Sequence, residues 1–210
     1  MIQFRLFGIP VVVQPIFWIT LGIIGALYTR PSNGADFLNL GLFMLAGFLS
    51  ILVHEFGHAL TVKSFGAPSA ITLHSFGGFA TYPAGVLNRP KSFLVTAAGP
   101  GIQLLLGAAA LPLLLSGVLP DTPIKTFVWW LVAVSFFWAI INCLPIYPMD
   151  GGRMLESILG PRRIKVVFII GIVTALGLGL ACVVLWKETF MALLMGLFAW
   201  ENYNHYRQAR

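Results

Sequence analysis

Long apolar stretches separated by short polar segments dominate the chain. A helix needs about 20 residues to cross the roughly 30 Å hydrocarbon core of a bilayer, at 1.5 Å of rise per residue. Most of the apolar stretches approach or exceed that length, and the last is short. The pattern predicts six transmembrane helices at about residues 11–28, 37–60, 93–119, 127–144, 166–186 and 190–200.

Two segments have a different pattern. Residues 2–7 alternate apolar and polar side chains, which predicts a short strand. Residues 64–90 contain too many glycines and prolines for a continuous helix. Within them, two strands joined by a turn at Phe76-Gly77-Gly78 predict a β-hairpin over about residues 71–82. We therefore expect an all-α polytopic membrane protein, organised as one domain over residues 1–210, with a small hairpin or sheet at membrane level.

Composition and charge support this class. The chain is 58% hydrophobic and 10% charged, with a mean hydropathy of +0.89, whereas about a quarter of the residues of a soluble domain are charged. Thirteen basic residues give a net charge of +6, but they are distributed ten to three between the two predicted sides of the membrane. The side with ten holds Arg5, Lys63, Arg89, Lys91, Arg153, Arg162, Arg163, Lys165, Arg207 and Arg210. This asymmetry predicts that both termini are cytoplasmic, and it explains the charge without a nucleic-acid partner.

The segment His54-Glu55-Phe56-Gly57-His58 lies inside the second apolar stretch. Ionisable side chains are costly at bilayer depth, so such a cluster indicates a functional site. On a helix, residues four apart share one face, and the H-E-x-x-H pattern therefore offers two imidazoles to one Zn²⁺ ion. The glutamate between them can act as a base on water at the metal.

The candidates for a third metal ligand are few, because the chain has only seven acidic residues. Asp150 lies near the end of the segment 142–153 and comes directly after the fourth predicted span. His54 and His58 lie about 25–32 Å along the second span from its outer end, and Asp150 is at a similar depth on a span of the same direction. We expect the site near the cytoplasmic side. An alternative for Asp150 is the N-cap of a helix starting near Gly152, which does not exclude metal binding.

These motifs resemble the site-2 protease family of intramembrane zinc metalloproteases. The resemblance rests on H-E-F-G-H, the 142–153 segment, Gly77-Gly78 in the hairpin and Ala98-Gly99-Pro100, and it covers roughly residues 2–160. Asn142-Cys143 and Gln103 depart from the residues that family members often carry, although neither change removes a ligand. The chain length leaves no room for the PDZ or CBS domain of many relatives.

The resemblance implies one Zn²⁺ per chain, bound by His54, His58 and Asp150, with Glu55 as the catalytic carboxylate. It also implies that the chain cleaves a substrate in or near its transmembrane segment. Asn142 could donate a hydrogen bond to the developing oxyanion, or it could satisfy unwound backbone near Pro145. These two roles remain open.

The predicted hairpin offers a way to hold an unwound substrate. An extended segment could pair with its exposed edge as an added strand, which makes Gly77, Gly78 and Phe79 candidate substrate-binding residues. His74 could touch substrate as well, although a hydrogen-bonded structural histidine is the simpler interpretation.

Two other functions fit parts of the pattern. A metal-ion transporter or channel could use the same His54, His58 and Asp150 site, but it has no need of a base at Glu55. An inactive homologue that only holds membrane-protein clients would not need the full set of ligands and base.

Overall fold

The structure is a computed structural model that describes residues 1–75 and 77–209. Phe76, in the predicted hairpin turn, and Arg210, one of the basic residues counted above, lie outside the described residues.

The described residues form a mostly helical chain with a small sheet. The strands are β1 (Ile2–Leu6), β2 (Ile9–Val13), β3 (Ala70–His74) and β4 (Gly77–Thr81). The helices are α1 (Pro15–Thr29), α2 (Gly34–Ser64), α3 (Arg89–Leu115), α4 (Pro123–Asn142), α5 (Asp150–Leu159), α6 (Ile164–Ala181) and α7 (Thr189–Gln208). A 3₁₀ turn, Pro161–Arg163, precedes α6, and a π-helical turn, Cys182–Trp186, follows it.

Within the described ranges, four helical segments are long and apolar enough to cross a membrane. They are α2, α3, α4 and the continuous segment Pro161–Trp186. The predicted count of six spans is therefore not confirmed.

The first and last predicted spans need correction. Val11–Val13 belong to β2, and α1 begins only at Pro15, because proline suits the first turn of a helix, where its missing N–H is not needed. The remaining helix of 15 residues is short for a bilayer. The predicted 190–200 segment is part of α7, which continues for 20 residues through a polar end to Gln208.

By internal contacts the chain divides into two compact units, 1–86 with 98–139, and 87–97 with 140–210. The first unit contains the whole sheet, in the order β1-β2-β3-β4. Its outer pairs are antiparallel, whereas β2 and β3 run parallel, with Val11 opposite Ile71. The predicted hairpin is confirmed as β3 and β4, and the predicted N-terminal strand is β1. The parallel pairing to β2 was not predicted.

The core of the first unit lies between the sheet, α1 and α2. Alternate residues of β2 point into it, and they pack with Phe17 of α1 and Phe56 of α2. The start of α2 is set locally by Asn33 and Asp36, whose side chains each accept from the other's backbone N–H. The indole N–H of Trp130 donates to Asn39 Oδ1 at 2.7 Å and ties α4 to α2. These contacts hold in place the helix that carries both histidines.

The second unit is built on α6 and α7. Ile146, from the segment before α5, packs with Ala175, Met195 and Ala199 in its core. The guanidinium of Arg89 donates to the carbonyls of Ser157 and Ile158 at the end of α5. Basic groups at this end satisfy carbonyls that have no partner within the helix.

Candidate metal centre

His54 and His58 lie one turn apart on the same face of α2, as their spacing predicts. Both are buried, and their Nε2 atoms are 3.0 Å apart. The ring planes are nearly perpendicular, with centroids 4.7 Å apart. Two nitrogens bound to one tetrahedral zinc at about 2.05 Å lie about 3.3 Å apart, so a shift of a few tenths of an ångström would accommodate the ion.

Gln103 of α3 orients the first of these imidazoles. Its Oε1 lies 2.9 Å from His54 Nδ1, and its Nε2 lies 2.9 Å from Ser50 Oγ and 3.4 Å from the Ser50 carbonyl oxygen. A carbonyl oxygen can only accept, so the amide NH₂ faces Ser50 and the amide oxygen faces the imidazole. Nδ1 of His54 then carries the proton and donates it to Gln103, and the lone pair for a metal is on Nε2.

A buried chain of hydroxyl groups extends this contact. Ser50 Oγ is 2.9 Å from Ser135 Oγ on α4, and Ser50, Gln103 and Ser135 have no exposed surface. The polar chain therefore connects α2, α3 and α4 through the interior of the first unit. Buried polar groups that are all hydrogen-bonded specify one arrangement of the helices that carry them.

Glycines allow α2 and α3 to approach closely beside the histidines. A β-carbon at Gly99 would overlap the His58 ring and would lie 3.0 Å from His54 Nε2. A β-carbon at Gly57 would overlap the Ala98 carbonyl oxygen. The imidazoles are thus packed directly against the backbone of α3, and this agrees with the close packing expected of a glycine-rich helix.

Glu55 is buried and lies against strand β4. A β-carbon built on Gly78 would be 2.6 Å from Glu55 Cγ and 2.8 Å from Cδ, so only glycine fits at this position. The carboxylate side chain and the strand backbone are therefore in van der Waals contact.

The two neighbours of Gly78 in the hairpin differ in exposure. Gly77 is buried, with a positive φ of 124°, and Phe79 is 42% exposed. In the described part of the chain, β4 pairs only with β3, so its other side is a sheet edge. His74 pairs with Gly77 across the two strands, and its ring lies 5.2 Å from the Phe79 ring. Burial lowers the pKa of His74 below its ordinary value.

Asp150 and Asn142 belong to the second unit. Asp150 is buried and is the first residue of α5, whose N-cap is Met149, so the alternative of Asp150 as an N-cap was wrong. A carboxylate in the first helical turn is still favoured by the helix dipole. Asn142 is the last residue of α4 and is half-buried.

Three buried side chains are of types that bind metal ions: His54 and His58 in the first unit and Asp150 in the second. Two imidazole nitrogens and one carboxylate oxygen match the ligands of zinc, and catalytic zinc sites have three protein ligands. The chemistry of this donor set fits Zn²⁺.

Sequence reasoning assigned no role to the polar residues that support His54. Gln103 stood out only because it departs from the residue that family members often carry, and Ser50 and Ser135 had no predicted role. A signal was present, because each is a polar residue inside a predicted apolar span, where a hydrogen-bonding partner is required.

Comparisons with known proteins point to peptidases. The family described as Peptidase M50B-like matches residues 17–150, and Peptidase family M50 matches residues 116–185. Rip3 of Mycobacterium tuberculosis, named as a candidate zinc metalloprotease, is 36% identical over 118 residues, which are 54% of this chain and 30% of that protein. A similarly named protein of Synechocystis is 32% identical over 165 residues, which are 73% of this chain and 42% of that protein.

A solved structure shares the fold. The site-2 protease from Methanocaldococcus jannaschii superposes with a TM-score of 0.68 at 22% identity, covering 98% of this chain and 94% of that one. The chain spans less than half the length of the two curated relatives described above.

Proposed function

The chain belongs to the M50B-like peptidases of the site-2 protease family, and from that premise we propose that it is an intramembrane zinc endopeptidase. Its substrate would be a membrane protein cleaved in or near a transmembrane segment. The observation that carries this proposal is the pair of buried Nε2 atoms 3.0 Å apart on α2, with a buried glutamate between their residues in sequence. None of the relatives reported above is named as a transporter.

We propose that His54, His58 and Asp150 bind one Zn²⁺ ion. The Nδ1 proton of His54 is committed to Gln103, so Nε2 is available as a ligand. Asp150 is a buried acidic residue, and carboxylate oxygens are among the ligands that zinc takes in proteins. Three protein ligands leave a fourth position open for chemistry.

Glu55 would act as the general base and acid. A zinc ion held by His54, His58 and Asp150 would supply Lewis-acid chemistry, polarising the scissile carbonyl and lowering the pKa of water towards about 7. Glu55 takes the proton from the attacking water and delivers it to the leaving amine. Its contact with the backbone of Gly78 holds the carboxylate beside β4 and limits its motion.

For Asn142 we propose hydrogen bonding to the oxyanion that develops on the scissile carbonyl. The alternative is that its amide satisfies the backbone that follows α4. The substitution Asn142→Asp tests the first role. Oxyanion stabilisation requires a hydrogen-bond donor, and loss of that donor should lower kcat with little change in KM.

The edge of β4 would hold the substrate. Cleavage requires an extended peptide, because a helical carbonyl is occupied by its hydrogen bond four residues along. A substrate strand added beside Gly77, Gly78 and Phe79 would lie next to Glu55, since Gly78 contacts that side chain.

Proline substitutions test this strand addition. Phe79→Pro and Ala80→Pro each remove one backbone N–H, and neighbouring N–H groups of a strand point to opposite sides. The substitution on the free side should block cleavage while zinc binding is kept. Normal cleavage by both variants would rule out pairing at this edge.

We propose that both termini and the active site are on the cytoplasmic side of the cell membrane. Ten of the thirteen basic residues belong to the predicted side that contains the termini and the segments next to the candidate ligands, and such an excess is typical of the cytoplasmic side. Labelling single cysteines introduced at Gln3 and Gln208 with an impermeant maleimide, in intact and lysed cells, tests this orientation.

The decisive experiment is co-expression with a panel of single-span membrane proteins, comparing wild type with Glu55→Gln. The variant should lose cleavage and keep one zinc per chain, because glutamine cannot transfer the proton but is not needed as a ligand. Glu188→Gln, at an exposed position, is the matched control and should cleave like wild type. Cleavage by Glu55→Gln, with the same new termini, would overturn the assignment.

A further inference from the structure

Asn202 is a fully buried polar residue in the second unit. Its Oδ1 accepts from the Tyr147 N–H at 3.2 Å, and its Nδ2 donates to the Tyr147 carbonyl at 2.6 Å and to the Phe198 carbonyl at 2.8 Å. One side chain of α7 thus binds both backbone polar groups of a residue that lies three positions before Asp150.

Space for this contact is made by α6. A β-carbon at Gly171 would overlap Oδ1 of Asn202, so glycine is required for the amide to reach Tyr147. At Gly177, six residues further along the same helix, a β-carbon would meet no atom within 4 Å. The close approach is therefore a local feature of the Asn202 position.

The segment 143–149 is folded tightly over the first turn of α5. A β-carbon at Gly151 would overlap the carbonyls of Cys143 and Leu144, and one at Gly152 would lie 2.6 Å from the Tyr147 nitrogen. Backbone bonds hold the ends of this segment, with Cys143 donating to Ile140 and Met149 to Ile146. In its middle, Asn202 supplies the partners of both backbone groups of Tyr147.

We propose that Asn202 is a positioning residue that fixes the segment 143–149 and thereby holds Asp150 in the geometry for binding zinc. This inference rests on the proposed function, which makes Asp150 a ligand. A ligand at the start of a helix moves with the loop that enters the helix, and the loop is anchored at Tyr147 by Asn202. Residues that position a metal ligand affect metal affinity as well as stability.

The first test compares Asn202→Leu with Val167→Ala. Leucine has a similar volume and cannot hydrogen-bond, whereas Val167→Ala removes methyl groups from a fully buried position of α6. Zinc affinity of the purified chains, measured by chelator competition, should weaken about 10-fold for Asn202→Leu. Val167→Ala should bind zinc like wild type, although it also loses packing.

A second readout follows the loop without any metal. Cys143 is exposed and Cys182 is buried, so in a Cys182→Ala background a maleimide reports on the 143–149 segment. In metal-free protein, Asn202→Leu should label severalfold faster at Cys143 than the Val167→Ala chain. Either equal labelling rates or equal zinc affinities would overturn the proposal.

Two glycine substitutions test the same proposal if Asn202→Leu does not fold. Gly171→Ala leaves Asn202 in place but pushes on its Oδ1, while Gly177→Ala, on the same helix, meets open space. Gly171→Ala should weaken zinc binding and speed Cys143 labelling, and Gly177→Ala should do neither. If the two variants behave alike, the positioning role is excluded.

The two proposals can fail separately. A wild-type chain that binds no zinc refutes the proposed function, whereas the labelling rates still show whether Asn202 holds the loop. A chain that cleaves substrates with unchanged zinc affinity in Asn202→Leu and Gly171→Ala keeps the proposed function and refutes the positioning role.

Discussion

Replacing Gln103 by methionine tests how the chain prepares His54 for a metal. Methionine has a similar length and no amide, so it fills the space between α2 and α3 without the hydrogen bonds. The substitution removes the acceptor 2.9 Å from His54 Nδ1 and the donor 2.9 Å from Ser50 Oγ. Neither contact can be replaced by bulk water, because Gln103 and Ser50 are fully buried.

The expected magnitude follows from these two contacts. A buried polar group that loses its partner costs about 1–3 kcal/mol, so the free energy of unfolding should fall by at least that amount. The proton of His54 is no longer fixed on Nδ1, and a tautomer with the proton on Nε2 cannot bind zinc through Nε2. Loss of such a supporting partner weakens metal binding about 10- to 100-fold, or about 1.4–2.8 kcal/mol.

The assay is zinc competition on purified protein, combined with ¹⁵N chemical shifts of the imidazoles, which report the tautomer directly. Gln103→Glu is the matched control, because a carboxylate still accepts from Nδ1–H. Its zinc affinity should remain close to wild type. Ser135→Ala, at the far end of the polar chain, should lower stability and leave zinc affinity nearly unchanged. Wild-type zinc affinity and an unchanged tautomer in Gln103→Met would refute the reasoning.

Three further substitutions have specific expected results. Gly99→Ala should abolish zinc binding, because its β-carbon overlaps the His58 ring. Gly78→Ala should remove cleavage while zinc is kept, because the atoms nearest to its β-carbon belong to Glu55 and Leu73, so that Glu55 is displaced. Burial lowers the pKa of His74, so below about pH 6.5 the unfolded chain binds more protons and stability falls. The stability of His74→Phe should depend less on pH. In denaturant titrations, its free energy of unfolding relative to wild type should increase as the pH is lowered from 7 to 5.

Each of these predictions has a clear contrary result. Gly101→Ala serves as the control for both glycines, since a β-carbon there meets open space, and it should bind zinc and cleave like wild type. Retained zinc in Gly99→Ala would show that the imidazoles are not confined by α3. For Gly78, full cleavage by the alanine variant would show that the β4 backbone does not hold Glu55. For His74, parallel pH curves of the two chains would show that this side chain does not contribute to the pH dependence.

Local patterns in the sequence predicted the elements whose signals are local. The 3.6-residue period places His54 and His58 on one face of α2, whatever surrounds them. Alternation and glycine-rich turns predicted β1 and the β3-β4 hairpin, and the apolar stretches predicted α2, α3, α4 and α6. The error at residues 11–28 arose because a buried strand and a membrane helix are both continuous apolar runs. Pro15 was the signal that separates them.

The sequence by itself determined which chemical groups α2 carries, because residue type and helical spacing are sufficient to present two imidazoles and a carboxylate on one helix. Only the tertiary structure decided what holds those groups. Gln103 and Gly99 are 49 and 45 residues from His54, and Gly78 is 23 residues from Glu55. Contacts between residues so far apart depend on how helices and strands pack, and a pattern along one chain does not contain that information.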